Sequence, residues 1–271
     1  MIPVAICGAT GKMGRMLIAA VHNHPDLSLV GLLASRESSF LESDAGALAD
    51  CGEIGISVSS EMDAAIGDCR VLIDFSVPDV IQDLTDSCVD RGIGMVIGTT
   101  GYSAKQRSSV EEAAESIPIV LSPNMSVGVN VTLKMVELAT QAMDSEIDVE
   151  IFESHHQYKI DAPSGTAVRL GELIAETRKV DLADVAVYGR EGMTGQRNRG
   201  SIGFHSARGG DVVGEHTVFF LGEGERVEVS HRATDRSIFA NGAAKASVFV
   251  AEKLQLGSCG LYDMSDVLGL S

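Results

Sequence analysis

Ile2-Pro3-Val4-Ala5-Ile6-Cys7-Gly8-Ala9-Thr10-Gly11-Lys12-Met13-Gly14 opens the chain with an apolar run and a glycine-spaced turn. A helical pattern through Met16, Leu17, Ala20 and Val21 follows, then a second apolar run from Leu29 to Leu33. Strand, turn, helix and strand in that order make a βαβ unit, with its glycines in the first turn. Their spacing, G-x-x-G-x-x-G, is a variant of the dinucleotide fingerprint. The first glycine permits a tight turn, the middle one lets a pyrophosphate reach the backbone, and the last lets helix pack on strand.

Moving outward, the end of the second strand is where such units read the adenosine ribose. An acidic residue there would hold the 2′- and 3′-hydroxyls of NAD. This chain has Ala34-Ser35-Arg36 instead. A hydroxyl followed by a guanidinium suits a 2′-phosphate, because Arg bonds phosphate with charge-assisted, bidentate geometry. NADPH is therefore the expected cofactor, with NADH the lesser one.

A polar excursion from Ser38 to Gly55 leads to a strand candidate at Ile54–Val58. Val71-Leu72-Ile73-Asp74-Phe75-Ser76 reads as a buried strand running into a loop, and Pro78 begins a helix through Val80, Ile81 and Leu84. Met95-Val96-Ile97 runs into Gly98-Thr99-Thr100-Gly101. A helix around Ser103–Glu115 precedes Ile117–Leu121 and the loop Ser122-Pro123-Asn124-Met125. Strands that alternate with helices and end in small or polar residues describe a Rossmann-like, doubly wound parallel sheet of the α/β class. Ligands sit beyond the carboxyl ends of its strands, so Phe75-Ser76, Gly98-Thr99-Thr100 and Ser122–Met125 should line the crevice.

Val127–Met143 is a long apolar-periodic helix, with Val131, Met135, Leu138 and Ala142 on one face. It hands over to the alternating strand Ile147–Phe152. Beyond the helix at 166–177 the chain reads as strands at Ala186–Tyr188, Ile202–His205, Val212–Leu221 and Val227–His231, followed by a helix around Ser237–Leu254. This is a second α+β domain with a mixed, mostly antiparallel sheet. The polar, glycine-rich Arg208–His216 within it suits a substrate-facing or subunit-contact loop.

The chemistry concentrates in Glu153-Ser154-His155-His156-Gln157-Tyr158-Lys159-Ile160-Asp161-Ala162-Pro163-Ser164-Gly165-Thr166-Ala167. Imidazole gives or takes a proton near neutral pH. Lys159 is a point charge for a carboxylate, or an acid if burial lowers its pKa. Val168, Leu170, Leu173 and Ile174 mark an amphipathic helix, which puts Ser164, Gly165 and Thr166 at its N-terminus, where free N–H groups and the dipole favour an anion. Proton donors, a cation and an anion cradle together suit a small carboxylate substrate. A zinc reading of Glu153, His155, His156 and Asp161 lacks the H-x-x-x-H or H-x-x-E-H spacing, so no metal is expected.

Composition closes off other classes. The formal net charge of −17 over 271 residues argues against nucleic acid and anionic membranes as partners. No run of about 18 apolar residues suggests a membrane span. The five cysteines are scattered, with no C-x-x-C pair, and read as reduced thiols of a cytoplasmic protein.

Three blocks together resemble the 4-hydroxy-tetrahydrodipicolinate reductase (dihydrodipicolinate reductase) family of diaminopimelate and lysine biosynthesis. They are Gly8–Gly14, Gly98–Gly101 with Pro123–Asn130, and above all Glu153-x-His155-His156-x-x-Lys159-x-Asp161-x-Pro163-Ser164-Gly165-Thr166-Ala167. The similarity continues into Phe239–Ala243 and Gly260–Met264. The resemblance implies an NAD(P)H-dependent oxidoreductase that delivers hydride to a conjugated cyclic imine dicarboxylate. By similarity His155 and Lys159 form the acid/base pair, and His156, Ser164, Gly165 and Thr166 bind substrate carboxylate. Gly8, Ala9, Thr10, Gly11, Lys12, Met13, Arg36, Gly98, Thr99, Thr100, Ser122, Pro123, Asn124 and Met125 would hold the cofactor. It further implies a dinucleotide-binding domain at 1–126 completed by 236–271, a substrate-binding and oligomerisation domain at 127–235, and a homotetramer. Two departures stand out: Ser35 replaces an acid found in some members, and Met125 replaces a common phenylalanine. Two other readings share parts of the pattern, a dehydrogenase of another small keto or imino acid and an NADPH-binding sensor. The His-His-x-x-Lys loop discriminates against the first, and loss of turnover on substituting His155 or Lys159 would discriminate against the second.

Overall fold

The computed structural model describes residues 1–143 and 147–270. The chain divides into two compact units, Met1–Val127 with Ser237–Ser271, and Gly128–Arg236.

The first unit begins with β1 (Ile2–Cys7), α1 (Lys12–His22) and β2 (Leu27–Leu33), followed by α2 (Ala45–Ala49), β3 (Val58–Ser59) and α3 (Met62–Ile66). It continues with β4 (Val71–Asp74), a 3₁₀ turn at Pro78–Val80, α4 (Ile81–Arg91), β5 (Gly94–Ile97), α5 (Ala104–Ala114) and β6 (Pro118–Leu121). The seven-stranded sheet has the order β12-β6-β5-β4-β1-β2-β3, in which β12 is Gly260–Tyr262 from the end of the chain. Every pairing in it is parallel.

Parallel strands covered on both faces read as near-continuous apolar runs, and the central positions of these strands do. Val4, Ile6, Val71, Ile73, Val96 and Val120 feed a core on one face, and Ala5, Cys7, Leu72, Met95, Ile97 and Ile119 feed the core on the other. The first face is covered by α1 and by α9 (Ser237–Gln255), whose Ala240, Ala243, Ala244, Ala246 and Val250 are buried. Small residues let α9 lie close: a Cβ at Gly242 would stand 1.8 Å from the Met125 carbonyl oxygen.

Four short elements of this unit, α2, α3, β12 and α10 (Met264–Leu268), carry too few residues to show a period and were not expected. The strand expected at Ile54–Val58 is reduced to Val58–Ser59. Asp44 explains why: its carboxylate accepts from Gly46 and Ala47 at the start of α2 and also from Ile54 and Gly55, drawing that segment into a turn.

The second unit holds α6 (Val127–Ala142, beginning at the boundary), β7 (Asp148–His155), α7 (Gly165–Arg178), α8 (Leu182–Val185), β8 (Ala186–Tyr188), β9 (Ile202–Arg208), β10 (Gly214–Leu221) and β11 (Arg226–Ala233). Its sheet runs β11-β10-β7-β9-β8. The sheet is mixed, but its pairings divide evenly instead of being mostly antiparallel: β10 pairs antiparallel with β7 and β11, while β9 pairs parallel with β7 and β8. The long return through α7 and α8 brings the chain back in the same direction, which a hairpin cannot do.

Val149, Ile151, Phe204, Val218 and Phe220 form the core of this unit with Leu170 and Ile174 of α7 and Val136 of α6. The stripe Val131, Met135 and Leu138 of α6 is exposed, and the buried stripe is Val129, Thr132, Val136 and Thr140. Each threonine hydroxyl donates to the carbonyl one turn back, Thr132 to Gly128 (2.8 Å) and Thr140 to Val136 (2.7 Å), so the methyl groups face inward without an unpaired polar atom.

Candidate active site

Along β7 the side chains alternate, with Val149 and Ile151 turned into the core. The same phase carries Glu153 and His155 inward, where they are 1% and 8% exposed. A carboxylate buried to that degree needs partners. Glu153 Oε2 is 2.6 Å from His155 Nδ1, and the Arg208 guanidinium grips both carboxylate oxygens at 2.8 Å. The Ser164 N–H donates to Oε1 at 3.3 Å. Arg208 ends β9 directly opposite His155, so the sheet register makes this pairing. Burial pushes the Glu153 carboxyl up, but the bonds from Arg208, Ser206 and His155 outweigh it and hold it at about 2.

An ionised carboxylate only accepts, so His155 Nδ1 carries the hydrogen and Nε2 is the free ring nitrogen. Burial pulls the His155 pKa down, Glu153 opposes this, and Lys159 and Arg208 add to it. Neutral His155 is thus favoured at neutral pH, and the arrival of negative charge beside it would favour the imidazolium. Gly214 keeps space at this edge: a Cβ there would lie 3.0 Å from Nε2.

On the other side of β7, His216 of β10 pairs in register with Glu153. Its Nε2 lies 2.8 Å from Ser164 Oγ, and its ring meets that of His155 edge-on at 5.2 Å. Ser164 caps α7 by accepting from Ala167, which fixes where the helix begins. The first turn then presents the N–H groups of Gly165 and Thr166, which no intrahelical carbonyl can satisfy. Gly165 is exposed, and a Cβ built on it would meet nothing within 4 Å. Neither packing nor conformation demands a glycine there, and the space over the helix start is open.

Between β7 and α7, Lys159 Nζ sits 2.8 Å from Asp161. His156 Nε2 is 3.3 Å from the Arg236 guanidinium, and its N–H donates to Val212. All six residues expected to do chemistry or bind substrate thus lie on or beside one network. Of the residues that tie it together, Glu153 had no such role assigned from sequence, and Arg208 and His216 were read only as the ends of a substrate-facing or subunit-contact stretch. An acid inside a strand's inward phase is the signal that marks Glu153. Among the described residues, no group of three or more His, Cys, Asp and Glu is arranged to hold a metal.

In the first unit, Gly8 adopts φ +78°, and a Cβ there would stand 2.3 Å from the Phe75 carbonyl oxygen. The cap of α1 is Gly11, which offers no side chain to its first N–H groups and leaves them for an anion. Beside them lies a cavity of about 590 Å³ lined by Gly8, Thr10, Gly11, Ser35 and Arg36 with Phe75 and Ser76. A glycine turn, an uncapped helix start and an arginine at the rim fit a phosphorylated dinucleotide. Arg36 pairs loosely with Glu61 at 3.5 Å and stays largely exposed.

The other residues expected at the cofactor are placed differently. Ala9 is buried beneath the turn, Lys12 is exposed at the first position of α1, and Met13 packs on the core. Gly98, Thr99, Thr100, Ser122, Pro123, Asn124 and Met125 follow β5 and β6 and do not line this cavity. Gly98 makes room for the Phe75 ring, and Met125 buries its side chain in the core. Thr99 donates to the buried Asp74 carboxylate at 2.8 Å, which also accepts from Ser76 N and Oγ. Burial pushes the Asp74 carboxyl up. Asp74 had no role from sequence, yet it pins the loops after β4 and β5 to each other.

Comparison with known proteins bears on both units. Residues 2–125 match the family model for the N-terminus of dihydrodipicolinate reductase, and residues 128–268 match the model for its C-terminus. The 4-hydroxy-tetrahydrodipicolinate reductase of Nitrosospira multiformis is 48% identical over 98% of this chain and 97% of its own. That of Acinetobacter baumannii is 48% identical over 99% and 96%. A dipicolinate-bound dihydrodipicolinate reductase from Paenisporosarcina aligns with a TM-score of 0.77 at 27% identity, covering 97% of each chain. An amine dehydrogenase from Mycobacterium smegmatis, 11% identical with a TM-score of 0.56 over 92% of each chain, shares the fold alone. Matched along both units by the family's two models and by relatives of nearly equal length, the chain belongs to the dihydrodipicolinate reductase family.

Proposed function

We propose that this protein reduces 4-hydroxy-tetrahydrodipicolinate to tetrahydrodipicolinate with a reduced nicotinamide cofactor, NADPH in preference to NADH, in diaminopimelate and lysine biosynthesis. The observation that carries this reading is the joining of His155, through Glu153, to the anion-ready start of α7, in a chain of this family. The 4-hydroxyl must leave as water to give the conjugated cyclic imine, and NAD(P)H, when bound, would supply the hydride that reduces it. The residues of the chain then have two tasks, to hold a dicarboxylate and to deliver a proton to the nitrogen on which electron density develops.

For the first, the Gly165 and Thr166 N–H groups, Ser164 and His156 make a carboxylate cradle at the end of a helix dipole. For the second, the site offers His155 Nε2 and Lys159 Nζ. Lys159 Nζ is held by Asp161 at 2.8 Å, and turning from that carboxylate to a substrate carboxylate would exchange one anionic partner for another. A bound dicarboxylate favours the imidazolium form of His155, so substrate recruits the acid that its reduction requires.

In the first unit, Arg36 stands where a 2′-phosphate would meet it, and this supports the preference for NADPH. The resemblance also implies a homotetramer assembled through the sheet of the second unit, in keeping with exposed Phe152 and Leu221 on that sheet.

The decisive assay follows absorbance at the reduced-nicotinamide band, with substrate generated in situ from pyruvate and aspartate semialdehyde by the preceding synthase. Oxidation only when the synthase is present, faster with NADPH than with NADH, is the expected result. No oxidation with either cofactor, in protein that binds NADPH, would overturn the reading in favour of another imino acid or a sensing role.

A further inference from the structure

Position 153 belongs, by the phase of β7, to the core stripe of Val149 and Ile151. An apolar side chain there would serve stability at least as well, because a buried ion pair seldom outdoes a hydrophobic contact of similar size. A carboxylate at that depth calls for a different account. We propose that Glu153 and Arg208 are positioning residues for the reduction. They lock the His155 ring with Nδ1 against the carboxylate and Nε2 toward substrate, and tie it to the start of α7 and to the loop that bears Lys159.

Three bonds make the connection. Glu153 Oε2 holds His155 Nδ1 at 2.6 Å, Glu153 Oε1 accepts the Ser164 N–H, and Arg208 Nη2 donates to the Asp161 carbonyl at 2.6 Å while gripping the carboxylate. One guanidinium therefore spans the acid/base residue and the segment after Lys159, and the carboxylate spans the same residue and the anion cradle. The ends of the glycine-rich Arg208–His216 stretch close the arrangement, since His216 holds Ser164 Oγ. Other groups face His155 too. The His216 ring comes from β10, Arg208 from β9 and Lys159 from the loop, and Glu153 is the one anion among them. It is what keeps a protonated His155 accessible against burial and two neighbouring cations.

This inference rests on the reductase reading but is tested apart from it. Uniformly 15N-labelled wild-type protein, Glu153→Gln and Arg208→Lys would be compared in three ways: by side-chain imidazole NMR, by the pH profile of kcat and by NADPH affinity. In the wild type, His155 should be the Nδ1–H tautomer. Glu153→Gln should lose that bias, lower kcat by about 10- to 100-fold, shift the limb that reports His155 protonation to lower pH, and leave NADPH affinity unchanged. Arg208→Lys retains the charge without the fork and should lower kcat by less, with the tautomer retained. An unchanged tautomer and pH profile in Glu153→Gln would overturn the proposal, as would activity lost only in proportion to unfolded protein. If Glu153→Gln fails to fold, an Arg208→Lys enzyme with wild-type kcat overturns it. If the wild type reduces nothing, the reductase reading fails, and the imidazole spectra still decide the positioning.

Discussion

At the scale of single residues, glycines separate into those that packing demands and those that it does not. Gly165 is of the second kind: exposed, at ordinary φ, with nothing near its absent Cβ. Gly165→Ala should leave stability unchanged or raise it by about 0.5–1 kcal/mol, while raising KM for the dicarboxylate roughly tenfold through intrusion into the cradle. Thermal melts and initial rates check both halves. Arg36 makes only a loose, exposed pair with Glu61, so its loss should cost the fold nothing. Arg36→Ala should raise KM for NADPH by about 10- to 100-fold and leave KM for NADH within about twofold, since a charge-assisted bond to a 2′-phosphate is worth about 1.5–3 kcal/mol. Equal effects on the two cofactors would refute that role. Both proposed roles are argued from sequence, because each residue sits at a fixed offset from a strand or helix end.

At the scale of elements, periodicity located every long helix and strand and missed what lacks a period. The segments α2, α3 and β12 are too short, and an Asp44 turn cuts the strand expected at Ile54–Val58 down to Val58–Ser59. Helix α6 shows the other failure, in which the more apolar stripe faces outward because threonines that bond their own helix bury as well as valines. The closing helix α9 is the element whose small residues matter most. A methyl at Gly242 would collide with backbone, the Met125 carbonyl, which cannot swing aside. Gly242→Ala should destabilise the first unit by about 1–3 kcal/mol despite better helix propensity, as read from urea midpoints. No loss of stability would mean that α9 shifts freely on the sheet.

Across the whole molecule, buried titratable groups set a pH dependence. Burial pulls His216 from 6.5 to about 4, so the unfolded chain binds its proton more readily than the folded one. Stability from this group is complete above about 6.5 and is lost as pH falls through 4, on the order of 3 kcal/mol at about 1.4 kcal/mol per pH unit. Glu150 and Glu153 extend the decline. Burial acts to raise both, and arginine partners outweigh it to hold each at about 2, so their contribution is present above 4.5 and lost toward 2. Urea midpoints measured from pH 7 to pH 3 should fall in two stages, the first reduced in His216→Gln and the remainder due to His155 and His231, which burial also lowers. A flat profile down to pH 4.5 would show that His216 takes up its proton in the folded state.

The sequence by itself determined the parallel sheet with its glycine turn and the gathering of two imidazoles, an ammonium and a helix start in one loop. Those properties follow from local period and spacing, which any chain segment expresses without its neighbours. Tertiary structure alone decided which side chains complete the site. Glu153 meets Arg208 across 55 positions and Ser164 meets His216 across 52, through strand register that no local pattern encodes. It also decided which face of α6 is buried, because that depends on what the sheet presents to it. An amphipathic period says that a helix has a side to hide; only the partner surface says which atoms fit against it.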